Sequence, residues 1–352
     1  MSKFVAGLLL SFCTATPWAA SNGHILAEKD LREAIDSYER AMTLEPDQAL
    51  THHQKAEALT ELKSWALAVA SYEKAIALDP QYIPSHLGRA HALMALKQPD
   101  NALQGLKQAI ALHPQNGKLH HQMGKVWVHL KLWDKAIASY NRAIALQSDA
   151  QTLHDRGQAF HALRQWDAAL DSFDQAIALN PQDALNHLAR GRILLEQKLA
   201  ERALESFDKA IELKPQLPQA HNERGLALLQ LQQLEPALNS FTMAVELDPR
   251  FAQAHYNRGR ALKAMQQFNE ALQSFEQAIA IAPHLAQAHL EQGSTLVASY
   301  KAVVNPSENG VLKTHSDGLP RYGRPMQLAL QPFLRSNLSQ KVMCCTTTSF
   351  YD

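Results

Sequence analysis

The chain has 352 residues, a length that would ordinarily correspond to two or three domains. Lys and Arg together number 34, Asp and Glu together also number 34, and no basic run stands out, so the composition argues against a nucleic-acid partner. The cysteines Cys13, Cys344 and Cys345 all lie close to one end of the sequence or the other, so disulfides are not expected to hold the fold together.

Residues 1–20 have the pattern of a secretory signal peptide. Lys3 precedes an apolar stretch from Phe4 to Ala15, and small residues follow as far as Ala20. The stretch is too short to cross a membrane. The alternative interpretation is a degenerate first helix of the unit that repeats along the rest of the chain, but Asn22 would then occupy a position that is usually glycine. We therefore expect an exported chain, periplasmic or secreted; without a signal peptide its location would be cytoplasmic.

The central feature of the sequence is a repeat of 34 residues. A proline recurs at this interval, with Ser148 in its place once and one step of 33 residues: Pro46, Pro80, Pro114, Pro181, Pro215, Pro249 and Pro283. A first ladder of alanines keeps the same interval: Ala34, Ala68, Ala102, Ala136, Ala169, Ala203, Ala237 and Ala271. A second ladder follows seven residues later, from Ala41 to Ala278. A fixed period of this length predicts a stack of similar structural units.

Each unit contains two amphipathic segments. In the unit after Pro249 they run over residues 253–265 and 268–279, separated by Gln266 and Gln267. Apolar or small residues recur every three or four positions in both segments, which predicts a helix, a tight turn and a second helix. The closing proline cannot continue a helix and separates one unit from the next.

One position of the first helix is glycine in six units, although glycine in a helix costs about 1 kcal/mol relative to alanine. These residues are Gly124, Gly157, Gly191, Gly225, Gly259 and Gly293. We expect a neighbouring helix to approach too closely for a side chain at this position, with the alanine of the first ladder facing the glycine. The residue four positions after that alanine is usually aromatic, as in Phe207, and is expected to fill the space between units.

These residues resemble the tetratricopeptide repeat (TPR) family, whose pattern is a bulky residue, Leu-Gly, Tyr, Ala, Phe, Ala and Pro at fixed places in 34 residues. The resemblance implies an all-α, right-handed α-solenoid of about seven to eight helix–turn–helix units. Seven units occupy residues 49–285 and begin near Ala49, Ile83, Gly117, Ala150, Ala184, Pro218 and Ala252. A partial repeat over 21–48 precedes them, and a capping helix over 286–302 follows them.

The region 303–352 departs from this pattern. Prolines and glycines such as Pro306, Gly310 and Gly318 interrupt any helical periodicity, and the repeat stops. We expect this tail to be mostly disordered. Adjacent Cys344 and Cys345 do not form a metal site by themselves.

The 17 histidines include a periodic set, four residues before the glycine position: His52, His86, His120, His187, His221, His255 and His289. Equivalent residues of neighbouring units lie about 10 Å apart, whereas zinc requires ligands at about 2 Å. We therefore predict packing and no metal. No phosphate-binding loop, His-Glu-x-x-His or Gly-x-Ser-x-Gly motif is present, so we predict neither an enzyme nor a cofactor.

In TPR proteins a concave groove lined by the first helices receives a peptide or partner helix. Positions two, five, six, nine, twelve and thirteen of these helices face inward in the family. The resemblance therefore implies a peptide-binding groove formed by Leu87, His91, Met94, Lys118, His121, Lys125, Val128, His154, Gln158, His161, Leu188, Arg192, Leu195, Asn222, Leu226, Leu229, Tyr256, Asn257, Arg260 and Lys263.

The expected partner is a protein or peptide with apolar anchors and some acidic groups. The leading hypothesis is a non-enzymatic scaffold or adaptor, such as an exported assembly factor. The alternative is the regulatory or substrate-recruiting arm of an enzyme, of the glycosyltransferase type for example, whose catalytic domain is absent from this chain. Glycosyltransferases with TPR arms carry an Asn ladder at position six, and only Asn257 occupies that position here.

Overall fold

The computed structural model describes residues 17–304, with side chains described from Glu28 onward except for Val303. The chain divides into the units Met1–Leu296 and Val297–Asp352, and only Val297–Val304 of the second unit is described. Residues 1–16 of the predicted signal peptide and residues 305–352 of the predicted disordered tail lie outside the described residues. Residues 17–20 belong to a helix that starts at Pro17, and residues 303–304 belong to a helix that ends at Val304, so the tail prediction is wrong for those two residues. The described part contains sixteen helices and no strand, which confirms the all-α prediction.

The helices form pairs. The seven first helices each contain 13 residues: α2 (Ala49–Glu61), α4 (Ile83–Ala95), α6 (Gly117–His129), α8 (Ala150–Ala162), α10 (Ala184–Glu196), α12 (Pro218–Gln230) and α14 (Ala252–Ala264). The seven second helices each contain 14 residues: α3 (Trp65–Leu78), α5 (Pro99–Leu112), α7 (Trp133–Leu146), α9 (Trp166–Leu179), α11 (Ala200–Leu213), α13 (Leu234–Leu247) and α15 (Phe268–Ile281). Longer single helices flank them, α1 (Pro17–Leu44) and α16 (Ala286–Val304).

The pairs stack in chain order as an α-solenoid. Each of the helices from α1 to α14 packs against the next one in the chain, and first helices also contact the first helices of neighbouring units, as α10 contacts α12. Within residues 28–296, no second helix contacts another second helix. The stack is therefore tighter along the first helices, and its inner face is built from them.

In five of the seven units, the core contact joins the glycine to an aromatic ring. A methyl group added at Gly225 would lie 2.6 Å from Phe241 Cε1, and one at Gly191 would lie 2.5 Å from Phe207 Cε1. The same contact joins Gly157 to Phe173, Gly259 to Phe275 and Gly124 to Tyr140. The ring of the same unit's second helix therefore covers the glycine and leaves no room for a side chain there.

The turn between the two helices of a unit has one conformation throughout. One residue of each turn has φ between 56° and 64°: Lys63, Lys97, Lys131, Arg164, Lys198, Gln232 and Gln266. In the fifth unit, Lys198 N–H donates to Leu195 O at 3.0 Å and Leu199 N–H donates to Leu194 O at 2.9 Å. This is the Schellman arrangement, which usually uses glycine. Five of the residues are cationic, which favours the negative end of the helix dipole.

A ladder of arginines connects successive units. Arg190 Nε donates to Asp174 Oδ1 of the preceding second helix at 2.6 Å, and its Nη1 donates to Ser206 Oγ of its own unit at 2.7 Å. Arg224 makes the equivalent bonds to Asp208 and Ser240 at 2.6 and 2.8 Å. A guanidinium in the first helix thus links the second helices on both sides of it.

We predict that Gly225→Ala destabilises the fold. Overpacking against the Phe241 ring should cost about 1–3 kcal/mol, which outweighs the gain of about 1 kcal/mol in helix propensity. Gly293→Ala is the matched control, because a methyl group there would meet no atom within 4 Å. Thermal melting followed by circular dichroism should show a lower midpoint for Gly225→Ala alone. Equal midpoints for both variants would contradict the assigned contact.

Thr242→Asp should stabilise the protein. Thr242 occupies the position at which Asp208 pairs with Arg224, and the buried Nε of Arg258 has no hydrogen-bond partner in the described part of the chain. A carboxylate at residue 242 would accept from this Nε, with an expected gain of about 1 kcal/mol. The reverse change, Asp208→Thr, should lose a similar amount. Urea denaturation measures the free energy of unfolding of both variants. A loss of stability in Thr242→Asp would contradict the predicted bond between residue 242 and Arg258.

Candidate functional site

The inner face contains the predicted groove residues in three environments. Six are exposed: His91, Lys118, Lys125, Gln158, Arg192 and Arg260. Ten are partly exposed: Leu87, Met94, His121, Val128, His154, His161, Leu226, Leu229, Tyr256 and Lys263. Four are buried: Leu188, Leu195, Asn222 and Asn257. The exposed set includes position nine of four successive first helices, from His91 in α4 to Arg192 in α10, and the same position of α14, Arg260.

Several polar residues of the predicted groove bond to the neighbouring unit. Nε2 of His121 lies 2.7 Å from Asp155 Oδ2, and Nε2 of His161 lies 3.0 Å from Glu196 Oε1. Nζ of Lys263 donates to Glu291 Oε2 at 2.7 Å. These side chains therefore connect first helices to one another, which leaves less of their hydrogen-bonding capacity for a ligand.

Two of the buried groove residues bond to each other. Asn257 Nδ2 donates to Asn222 Oδ1 at 2.9 Å, which connects α12 and α14. Leu188 packs in the core cluster around Phe207. These three side chains stabilise the stack of units and are not accessible to a ligand. The list of inward-facing helix positions in the family did not show that they would be buried. The interval of about 34 residues between bonded partners, as in His121 and Asp155, is the sequence signal that could have found such pairs.

The first pocket on the inner face lies between α4, α6 and α8 and has a volume of about 570 Å³. Its lining combines apolar side chains with histidines, two amides, one lysine and one carboxylate: His91, Met94, Gln122, Lys125, Val128, His129, Trp133, Tyr140, Asp155, Gln158, Ala159 and His161. Lys125 is exposed and has no ion-pair partner in the described residues. Burial raises the pKa of Tyr140, so its hydroxyl is neutral. Trp133, at the start of α7, is a lining residue that the sequence analysis missed.

The second pocket lies between α10, α12 and α14, with a volume of about 480 Å³. Leu195, Leu226 and Leu229 form its apolar part. Arg192 Nη2 lies 3.2 Å from Glu223 Oε1, and burial raises the pKa of Glu223 although Arg192 opposes this shift. The guanidinium of Arg260 lies 5.7 Å from the centre of the Tyr256 ring. Arg192 is therefore paired within the protein, whereas Arg260 lines the pocket and forms no ion pair with any carboxylate of the described residues.

The periodic histidines have a structural role. Nε2 of each lies 2.9–3.3 Å from the carbonyl oxygen of the proline six residues earlier, as in His221 and Pro215. Since a carbonyl only accepts, Nε2 must carry the hydrogen in this arrangement. The unit beginning at Ala150 has Leu153 and Ser148 instead, so both partners are replaced together. Within residues 28–304, apart from Val303, no three His, Cys, Asp or Glu residues group as they would around a metal ion.

The fold and this surface define an interaction scaffold built from helical hairpins. The sequence pattern of the Tetratricopeptide repeat family matches residues 26–83, 87–151, 154–218 and 252–285, and a TPR repeat pattern matches residues 225–266. The chain therefore belongs to the tetratricopeptide repeat family. Among its described helices, none has the length and apolar character needed to span a membrane.

Solved structures share the fold at low sequence identity. A chain of the APC/C hetero-tetramer Cut9–Hcn1 has a TM-score of 0.56 and 15% identity, over 76% of this chain and 52% of that one. Yeast Tom70 has a TM-score of 0.55 and 17% identity, over 85% of this chain and 64% of that one. The chain thus spans about half to two thirds of these relatives. A comparison with curated proteins finds no significant match.

Stability should fall as the pH drops below about 6.5, in part through His86. Burial lowers the pKa of His86 from its usual 6.5, with the hydrogen bond to Pro80 opposing that shift. Below pH 6.5 the unfolded chain binds a proton that folded His86 does not, so the free energy of unfolding decreases. The difference in stability between wild type and His86→Gln should change between about pH 7 and pH 5, with wild type losing more. Parallel losses in both proteins would contradict this role.

Proposed function

We propose that this protein is a non-enzymatic scaffold that binds a polypeptide along its inner face. The observation that carries the proposal is the pair of pockets on that face, each with an apolar lining and an exposed cation. Lys125 lines the first pocket, and Arg260 lines the second. A polypeptide with apolar side chains spaced to enter both pockets, and with carboxylates beside them, fits this chemistry.

The apolar linings would supply most of the affinity, and the cations would select the partner. Met94, Val128 and Trp133 present adaptable and aromatic surface in the first pocket, and leucines do so in the second. Aromatic and Arg side chains in partly enclosed pockets are typical of the residues that dominate binding energy. Charges at the rim act mainly on association rate and selectivity.

Lys125→Glu and Arg260→Glu together should weaken binding of peptides selected from a display library on the full chain by at least about tenfold. Both side chains are exposed, so reversal should not disturb the fold. Arg192 is a poorer choice, because its reversal would leave Glu223 without its partner. Lys97→Glu, in an exposed turn, is the matched control.

Fluorescence anisotropy with the labelled peptides would measure the effect. Selected peptides should be enriched in acidic and apolar residues. Peptides whose affinity is unchanged by the double reversal, or is reduced equally by Lys97→Glu, would show that the inner face is not the binding site.

Export and the enzyme-arm alternative are further parts of this proposal. Export is supported by the apolar pattern of residues 1–20, and an intact Met1 in the mass of the mature chain would argue against it. An arm that recruits substrates for an enzyme on another chain would use the same inner face. The identity of the captured partner separates this role from that of an adaptor.

A further inference from the structure

The first and last helices of the solenoid are complementary halves of one repeat. α1 carries the residues of a second helix, with Ala34 and Ala41 in the two ladders and Tyr38 at the aromatic position. α16 carries the residues of a first helix, with His289 and Gly293 at the positions of the periodic histidine and glycine. Among the described residues 17–304, α1 is therefore not preceded by a first helix of its repeat, and α16 is not followed by a second one.

The side of α16 that a second helix would cover is open. Gly293 is exposed, and an added methyl group would meet no atom of the described residues within 4 Å, in contrast to the glycines at the equivalent position of five other units, which lie against rings. Leu296 is 36% exposed, whereas its equivalent Leu262 is 3% exposed. The opposite side is docked, since Glu291 bonds to Lys263 and Thr295 is fully buried.

The matching side of α1 is open as well. Tyr38 and Ala34 are partly exposed and Ala41 is exposed, whereas Phe207, Ala203 and Ala210 at the same positions of α11 are fully buried. The other side of α1 is docked on the solenoid, because Glu39 accepts from Lys55 Nζ at 2.6 Å and Ile35 packs beside Ala56.

Neither helix is completed by the residues next to it in the chain. If α1 had its own first helix, a turn would separate that helix from α1 just before Leu31, yet α1 is continuous from Pro17 to Leu44. Asn22, which would face Tyr38 in such a helix, lies within α1 itself. α16 likewise continues through Tyr300 and Lys301, the positions equivalent to the turn residues Gln266 and Gln267.

We propose that two copies of this chain associate head to tail, with α16 of one copy pairing with α1 of the next to form a composite repeat. Gly293 of one copy would receive the ring of Tyr38 of the next, as Gly225 receives Phe241 within one chain. Leu296 would be buried in the same contact. Such an interface is heterologous, because the two copies contribute different surfaces, so it forms open chains or closed rings.

Sedimentation velocity of the full chain under reducing conditions tests this interface. Wild type should sediment faster as its concentration increases. Gly293→Leu should abolish self-association, because the added side chain would occupy the place of the ring. It should leave the monomer folded, because the space around Gly293 is open. Tyr38→Asp should abolish association from the other side, and both variants should keep the circular dichroism of the wild type.

Mixing the two variants gives the decisive result. Gly293→Leu retains an intact α1 and Tyr38→Asp retains an intact α16, so an equimolar mixture should form a dimer and nothing larger. A wild type that stays monomeric at every concentration would overturn the proposal. Association that persists in both single variants would assign it to another surface, and a mixture that stays monomeric would exclude the head-to-tail contact. These residues lie outside both pockets, so the outcome is independent of peptide binding.

Discussion

The approach of an aromatic ring to a glycine sets the spacing of the two helices in five of the seven units, and the rest of the solenoid depends on it. In a repeat protein each unit contacts mainly its neighbours, so a geometry repeated in every unit fixes the geometry of the stack. The second unit has Ala90 and Leu106 at these positions, with no ring. The first has Ala56, and the ring of Tyr72 lies instead against Gly88 of the following unit. A ring at this position therefore still needs a glycine, even when the next unit supplies it.

The helices and their pairing were predictable from sequence because the signals were periodic. An interval of 34 residues repeated over seven units averages out the ambiguity of any single helix, and the first helices begin at Ala49, Ile83 and the equivalent residues. The conformation of the turns was harder to predict from the sequence. Lysines such as Lys198 adopt a positive φ that sequence reasoning assigns to glycine, because the hydrogen bonds of the Schellman arrangement and the two docked helices impose it.

The candidate site was predictable as a face but not residue by residue. The position of a residue within the first helix selects side chains that point towards the inner face, such as Lys125. It equally selects side chains that point along the stack towards a neighbouring unit, such as Asn222 and Leu188. Only the position of the neighbouring unit separates the two groups. Trp133 was missed for a related reason: it belongs to a second helix, yet its place at the start of α7 brings it to the rim of the inner face.

The inner face therefore has two kinds of charge with different consequences. Paired groups such as Arg192 with Glu223 and Lys263 with Glu291 connect first helices, and a ligand could use them only by competing with a bond that the fold already makes. Partial burial of Glu223 strengthens this restriction, because a carboxylate removed from water loses more when its partner leaves. In the described part of the chain no carboxylate forms an ion pair with Lys125 or Arg260, so a ligand's acidic group would gain a contact there without breaking one. Selectivity along the face should accordingly depend on the few cations that the stack has left unpaired, and not on its total charge, which is balanced.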